Sequence, residues 1–195
     1  TGLGFEYSSE SINSTKLGLH SREHKSIYMD NSKDLSERVA LGLSLRMDDF
    51  DSFDNVYTGS AGISYKLTED DSVSFGVSKS MRIPSFTELY YNDPTTLGNS
   101  GLLAENSLNY QVGYDFKKKD LSIGLVFFLR QETDFIDWVK RTSDQPKWQA
   151  ENIARAGVFG LENYFKLNIS QNISLDSNYT YINKFTNNNG YLFKY

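Results

Sequence analysis

The residues of this chain that can form strong ionic contacts lie at the ends of stretches in which polar and apolar side chains alternate. Arg82 shares the parity of the small polar residues before it, and Glu105 shares the parity of the polar residues after it. Successive side chains of a strand point to opposite faces, so both charges are predicted on the polar faces of neighbouring strands, where they can pair. Glu162 is predicted on the polar face of a later strand. Its carboxylate there has either a charged partner or only water around it.

A short acidic stretch offers oxygen ligands to a metal. Its four aspartates are Asp48, Asp49, Asp51 and Asp54. Oxygen-rich loops can hold Ca²⁺, but this stretch lacks the glycine and the glutamate of an EF-hand loop. A hydrated acidic loop is therefore the favoured interpretation, and calcium is the weaker one.

Composition excludes several classes of function. The chain has no cysteine, which excludes thiol chemistry, and no Ser-His-Asp arrangement can be assembled around its two histidines. The net charge is -5 and no basic run extends beyond residues 117–119, so the sequence offers no positively charged patch that would bind nucleic acid. We therefore expect a protein that is not an enzyme, has no cofactor and binds no nucleic acid.

The elements that must position these residues are strands. Apolar residues alternate with small or hydrophilic ones over about 10 to 12 residues at a time, the length that a tilted membrane strand requires. The pairs that define one predicted apolar face are Leu41 and Leu43, Phe75 and Val77, Tyr110 and Val112, and Leu125 and Phe127. Weaker strands are predicted at about 1–8, 22–31 and 56–67, the second with an ambiguous parity, and no helix is predicted.

Hydropathy alone does not reveal a membrane protein here. The mean hydropathy is -0.50, and no run approaches the roughly 18 apolar residues of a membrane helix. Strands of a membrane barrel turn only every second side chain to lipid, so they escape such averages. The 13 tyrosines, each with an apolar ring and a hydroxyl, suit a membrane interface.

The connections alternate between short and long. Short ones are predicted at 31–36, 68–71, 117–120 and 168–172, and long ones at 9–21, 48–55, 82–106, 141–150 and 184–190. Successive connections of an up-and-down meander lie at opposite ends, so all the long loops share one side, as in outer-membrane barrels. We predict an all-β, antiparallel up-and-down transmembrane barrel with nine complete strands and the start of a tenth. A soluble antiparallel sheet with one wet face is the alternative.

One stretch, 80–114, carries a specific motif. Its matching residues are Arg82, Pro84, Ser85, Phe86, Glu88, Leu89 and Tyr90, followed by Asn99, Leu102 and Glu105. The motif resembles the barrel signature of TonB-dependent outer-membrane receptors of the cobalamin and siderophore type. Ser100 and Ala104 replace the two prolines in the second part of that signature. The stretch 150–162, with Asn152, Gly160 and Glu162 in register, resembles a later strand of the same family.

The resemblance implies a 22-stranded barrel filled by an N-terminal plug. Residues 1–195 would then be part of the barrel domain, towards its C-terminal end, with the plug outside this chain. It also implies a bacterial outer-membrane location, contact with lipid and lipopolysaccharide, and a TonB complex acting through the plug. The ligand would be a small nutrient chelate: cobalamin, a ferric siderophore or haem. A passive porin-type barrel is the alternative, although a porin has no need of the motif.

The longest predicted connection, 82–106, holds the candidate ligand contacts. Its residues Tyr90 and Tyr91 can stack on a ligand, while Asn92 and Asp93 can hydrogen-bond one. Loops of this length are usually functional or disordered. In the alternative interpretation the loop only packs on its neighbours and the plug binds the ligand. Arg82, Glu105 and Glu162 are expected to face the barrel lumen and the plug.

Overall fold

The computed structural model describes residues 1–186 and 190–194, apart from the side chain of Ala154. Within this part the elements, in chain order, are β1 (Gly2–Ser14), β2 (Gly18–Asp34), β3 (Val39–Phe50), β4 (Phe53–Lys66), β5 (Asp71–Arg82), α1 (Phe86–Tyr90), β6 (Thr96–Leu97), β7 (Glu105–Lys118), β8 (Leu121–Lys140), β9 (Trp148–Ser170), β10 (Ile173–Thr186) and β11 (Leu192–Phe193).

Nine long strands form one antiparallel meander, in the order β1-β2-β3-β4-β5-β7-β8-β9-β10. The short β6 adds to β9 in parallel, and β11 adds to β8. Within the described residues β1 and β10 do not pair with each other, so the sheet is an open wall and not a closed barrel. The predicted all-β, up-and-down architecture is confirmed. No helix among the described residues is long and apolar enough to cross a membrane.

The strand register places the predicted apolar residues on one face. Leu41, Phe75, Val112 and Phe127 lie in one directly paired row that crosses the sheet. Val112 is 51% exposed and Phe127 is 58% exposed, although both lie in mid-strand. Large apolar side chains that remain open across a whole face need a hydrophobic surrounding, and lipid provides it. We call this the apolar face.

The opposite, polar face is lined by small residues. Gly42, Gly62 and Gly76 form a directly paired row across three strands. The neighbouring row contains three serines in the same strands: Ser44, Ser60 and Ser78. A face without bulk leaves room for other material to lie against the wall. The parity that the sequence left open in β2 is also resolved, because Met29 pairs with Leu45 on the apolar face.

Two connections that the sequence predicted to be long, 9–21 and 48–55, are mostly strand. Residues 15–17 join β1 to β2, and residues 51–52 join β3 to β4. The prediction was wrong there because strands that continue beyond the apolar zone have two wet faces and lose the apolar alternation by which they are recognised. The predicted connection 141–150 is observed as residues 141–147. In the fifth predicted connection, residues 184–186 belong to β10, and 187–189 lie outside the described residues. Within the described part of the chain, the connection after β5 is the longest.

Two local features also differ from the prediction. The five-residue helix α1 was missed, because a single turn is too short to show a period of 3.6 residues. The apolar parity changes around 131–134, which in the sequence favours either a β-bulge or a strand that continues beyond the membrane. β8 does continue, to Lys140. Asp134 does adopt a left-handed backbone with φ 56°, but the register is the same on either side of it. The irregularity is therefore a change of backbone direction without an inserted residue.

The two faces predict opposite responses to a new charge in the middle of β7. Val112→Arg places a cation on the apolar face and should destabilise the folded protein by about 2 to 4 kcal/mol, the cost near the middle of a bilayer. Gln111→Arg changes the adjacent residue on the polar face and should cost much less. Urea titration of the complete protein in lipid vesicles measures both. Equal losses would contradict the assignment of the faces.

Candidate ligand-facing loop and its ionic support

Arg82, the last residue of β5, holds two carboxylates at once. Its Nε and Nη2 donate to the two carboxylate oxygens of Glu105, both at 2.6 Å. Its Nη1 and Nη2 donate to the oxygens of Glu88 in α1, at 2.9 and 3.0 Å. The structure thus brings together the predicted Arg82 and Glu105, which are direct cross-strand partners. It adds Glu88, which the sequence had placed in the motif without a role.

Glu105 extends this cluster to the next strand. Its side chain is buried, and its Oε1 accepts a hydrogen bond from the backbone N–H of Ile136 at 2.7 Å. A buried carboxylate is tolerated only when it is paired and hydrogen-bonded, and Glu105 has both kinds of partner. Arg82, Glu88 and Glu105, which we call the Arg82 cluster, therefore fix three strands relative to one another. They hold the last residue of β5, the first residue of β7 and the C-terminal part of β8, and we call this end of the sheet the upper end.

The helix α1 begins with a reciprocal cap. Ser85 Oγ accepts from the Glu88 backbone N–H, and Glu88 Oε2 accepts from the Ser85 backbone N–H at 2.7 Å. This arrangement satisfies two donors that a helix start leaves open. Burial raises the pKa of Glu88, but hydrogen bonds from Arg82 and Ser85 outweigh it, so the pKa lies below its usual range. The spacing of Arg82, Ser85 and Glu88 in the motif thus lets one carboxylate, that of Glu88, both cap the helix and pair with Arg82.

Residues 83–104, which we call the β5–β7 segment, fold back onto the wall. Leu89 and Leu102 are buried against Ile136 and Ala150 of β8 and β9. The end of α1 is closed by the chain returning from β6, where the Asn99 backbone N–H donates to the Glu88 carbonyl at 2.8 Å. The connection that the sequence treated as a loop is therefore a packed layer at one end of the sheet.

The candidate ligand residues have different environments. Tyr90 is half-buried, with its ring stacked on the ring of His20 at 3.6 Å between centroids. Tyr91 Oη accepts from Lys16 Nζ at 3.1 Å, and Asn92 Oδ1 accepts from Lys147 Nζ at 2.9 Å. Tyr90 is thus largely a packing residue, whereas the polar atoms of Tyr91 and Asn92 lie at the surface beside two lysines.

Asp93 is mainly a turn residue. Its Oδ1 accepts from the backbone N–H groups of Thr95 and Thr96, both at 2.7 Å. The Thr95 backbone N–H is the largest cause of a low pKa for Asp93, about 2. This turn leads into β6, which pairs with β9, so Asp93 supports the attachment of the β5–β7 segment to the wall.

The calcium candidate fails on geometry. Asp48 is buried and is shared by Arg46, at 2.9 Å, and His24, at 2.7 Å. Asp51 accepts from the Glu23 backbone N–H, and no group of three or more acidic or histidine side chains forms a metal site within the described residues. The four aspartates follow a strand, a two-residue turn and the next strand, which sends them in different directions.

A Ser-His-Asp chain that the sequence did not reveal crosses three strands on the polar face. Ser8 Oγ lies 3.3 Å from His24 Nδ1, and His24 Nε2 lies 2.7 Å from Asp48 Oδ1. The Asp48 carboxylate is already paired with Arg46, and the three residues belong to three successive strands. The three hydrogen-bonded side chains therefore hold β1, β2 and β3 together.

Glu162 lies on the polar face of β9. It pairs with Val126 in a row that continues through Gly113 to Ser74, and its side chain is exposed. It forms no ion pair with any residue in the described part of the chain. The nearby Gly160 is closely packed, because a Cβ added there would collide with the Phe128 ring and the Tyr181 carbonyl, but Glu162 itself is open. Contact between Glu162 and a plug stays a prediction.

The family follows from comparison with known proteins. The sequence model described as "TonB dependent receptor-like, beta-barrel" matches residues 2–195. The chain belongs to this family. The resemblance inferred from the Arg82 motif is thereby confirmed, and the family is one of transport receptors.

Individual relatives are distant in sequence but close in fold. The ferrienterobactin receptor of Escherichia coli is 23% identical over 83% of this chain and 24% of its own length. The vitamin B12 transporter BtuB of Photobacterium profundum is 25% identical over 83% and 27%. The siderophore receptor PirA of Pseudomonas aeruginosa superposes with a TM-score of 0.83 over 93% of this chain and 36% of that structure, at 24% identity. The chain thus spans about a quarter of the length of these curated relatives.

Removal of the Arg82 guanidinium should loosen the end of the wall. Arg82→Gln leaves the buried Glu105 carboxylate without a cation, which should cost about 1 to 3 kcal/mol of unfolding free energy. Arg130→Gln is the matched control, because Arg130 is similarly exposed on the same face and, among the described residues, forms an ion pair with Glu132 alone. It should cost less than about 1 kcal/mol. Urea titration and protease sensitivity of the β5–β7 segment measure both, and equal effects would refute the special role of Arg82.

The low pKa of Asp93 predicts when acid releases the turn. A depressed folded-state pKa contributes stability that is complete above the unfolded value, about 3.9, and is lost as the pH falls through about 2. Pepsin digestion of the receptor between pH 4 and pH 2, with cleavage sites mapped by mass spectrometry, should find the β5–β7 segment protected until the pH nears 2. Asp93→Ala should expose it already at pH 4. Cleavage of both proteins at the same pH would contradict the assignment.

Proposed function

We propose that this chain is a wall segment of a bacterial outer-membrane receptor that imports a small nutrient chelate with energy relayed by TonB. The observation that carries the proposal is the β5–β7 segment, which is folded onto the end of the polar wall and held there by Arg82. A layer of this kind suits a receptor that must hold a ligand above a filled lumen. A passive porin, the second candidate, would have no use for it.

The ligand is best matched by an anionic chelate. Lys16 and Lys147 come from two different connections and reach the polar atoms of Tyr91 and Asn92, which are neutral partners. Asp93 accepts from Tyr91 Oη at 3.1 Å and offsets part of the charge of Lys16, whereas Lys147 has no acidic partner within the described residues. The two lysines therefore keep a net positive charge, which favours anions. A ferric siderophore or haem fits this charge better than cobalamin. A related ferric enterobactin receptor of Pseudomonas aeruginosa has been solved in complex with enterobactin.

The two faces imply the remaining partners. The apolar face is expected to contact outer-membrane lipid and, towards the end that bears the β5–β7 segment, lipopolysaccharide. The polar face is expected to contact a plug domain through which TonB acts. Arg82 and Glu105 already satisfy each other, so the exposed carboxylate of Glu162 is the more available of the three for a cation on the plug. We expect no catalytic activity from this wall.

Ligand contact can be tested on whole cells that express the complete receptor. Lys16→Gln combined with Lys147→Gln should lower the affinity for a ferric catecholate by about tenfold, because two attractive charges are lost. Tyr91→Ala and Asn92→Ala should weaken binding of the same chelate. Binding of cobalamin and haem is measured in parallel, and surface abundance is measured for every variant. Lys117→Gln, at the opposite end of the wall, is the control.

The same cells separate an energised receptor from a porin. Dissipation of the proton gradient should abolish uptake and leave surface binding intact. Uptake that rises linearly with concentration and persists without the gradient would favour the porin. If the lysine and Tyr91 variants bind every tested chelate normally at normal abundance, the β5–β7 segment does not contact the ligand, and its role is only to pack on the wall.

A further inference from the structure

Arg22 in β2 is a buried cation whose partners all lie at the end of the wall that bears the β5–β7 segment. It is only 4% exposed, and its guanidinium carbon lies 4.8 Å from the ring centre of Phe86 and 5.3 Å from that of Phe53. Its Nη2 donates to the Pro84 carbonyl at 2.9 Å. Phe86 and Pro84 belong to the β5–β7 segment, so Arg22 grips this segment from the wall.

The grip is incomplete for a buried charge. Arg22 Nε is buried and has no hydrogen-bond partner, and Arg22 forms no ion pair with any residue in the described part of the chain. A guanidinium normally matches its fork of donors to a carboxylate, and leaving a charged donor buried without a partner is costly. The docked position of Arg22 is therefore not the best electrostatic position available to it.

A better electrostatic partner lies directly across the sheet. Glu10 of β1 is the cross-strand partner of Arg22 and occupies the same polar face. Its side chain is exposed, and within the described residues it has no ion pair. Side chains of directly opposed residues are close enough to pair. Arg22 instead turns away from Glu10 towards the β5–β7 segment.

We propose that Arg22 is a latch with two alternative partners. In the docked state it donates to the Pro84 carbonyl and lies between the rings of Phe53 and Phe86. When the segment lifts, Pro84 and Phe86 leave with it, Phe53 stays in β4, and Arg22 turns to the Glu10 carboxylate. In the docked state the Arg22 guanidinium is buried against aromatic rings but has no ion pair. In the lifted state it has an ion pair with Glu10 but loses the contact with Phe86. Glu10 therefore lowers the free-energy gap between a closed and an open β5–β7 segment.

This inference rests on the proposed function only in taking the segment to lie over the ligand. The movement itself can be measured without any ligand. Because the chain has no cysteine, Thr87→Cys in α1 and Glu37→Cys in the turn at the other end of the wall provide sites for spin labels. Pulsed electron paramagnetic resonance on the complete receptor then gives the ratio of lifted to docked populations. Additional cysteines elsewhere in the receptor would be replaced by serine.

The latch predicts a pattern of four ratios. Glu10→Gln should lower the lifted-to-docked ratio about two- to fivefold, the contribution of an exposed ion pair. Arg22→Gln should raise it by about tenfold or more, since the charged hydrogen bond to Pro84 and the ring contact with Phe86 are lost. In the Arg22→Gln background, Glu10→Gln should have no further effect. Glu23→Gln, which removes the same charge from the neighbouring residue on the other face, should change nothing.

The outcomes are decisive. The latch is wrong if Glu10→Gln behaves like Glu23→Gln, or if its effect persists without Arg22. If Arg22→Gln fails to assemble, the comparison of Glu10→Gln with Glu23→Gln still decides, because both residues are exposed and neither supports the core. Normal ligand binding by the Lys16, Lys147 and Tyr91 variants would defeat the proposed ligand contact and leave the latch to be judged by the distances alone.

Discussion

One guanidinium determines the arrangement at the end of this wall. Arg82 joins Glu105 and Glu88 by four charge-assisted hydrogen bonds. Glu105 also fixes the Ile136 backbone, and Ile136 packs against Leu89, which is the residue after Glu88. The contacts therefore close into a ring that passes from strand to strand to helix and back. A lysine could not replace Arg82, because a point charge cannot form two parallel pairs of bonds.

The sequence predicted the wall well because the wall is a local property. Each strand between Leu41 and Phe127 has one apolar face and one face of small polar residues, so the alternation is visible in every strand separately. The same reasoning failed where the surroundings change. The upper parts of β1, β2, β8 and β9 have lost the apolar alternation, and α1 is a single turn held by tertiary contacts.

The candidate site was predicted only in part, because its geometry depends on residues far apart in the chain. The motif led to Arg82, Glu105 and the tyrosines, which are close in sequence. Lys16 lies 75 residues from Tyr91, and Lys147 lies 55 residues from Asn92, so neither contact leaves a local pattern. Ser8, His24 and Asp48 come together only through the strand register, because the alternation left the parity of β2 open and placed Asp48 in a connection. Of the four predicted ligand residues, Tyr90 and Asp93 also have structural roles that a single loop sequence cannot show.

The rigidity of the β5–β7 segment has a physical source other than proline. The family signature has prolines where this chain has Ser100 and Ala104, and a proline stiffens a loop by fixing φ. Here two asparagine side chains hold the same stretch. Asn99 donates to the Ala150 carbonyl at 3.2 Å and accepts from the Gly101 N–H at 2.9 Å.

Asn152 completes the replacement. Its side chain forms two hydrogen bonds with the Leu103 backbone, accepting from the N–H at 2.9 Å and donating to the carbonyl at 3.1 Å. The same amide group donates to the carbonyl of Asp134, at 2.6 Å, where β8 turns left-handed. Side-chain amides thus hold the segment by enthalpy, through bonds to β8 and β9, whereas prolines would have held it by restricting the unfolded chain. A segment held in this way is ordered only while it lies on β8 and β9, because the bonds that hold it are bonds to those strands.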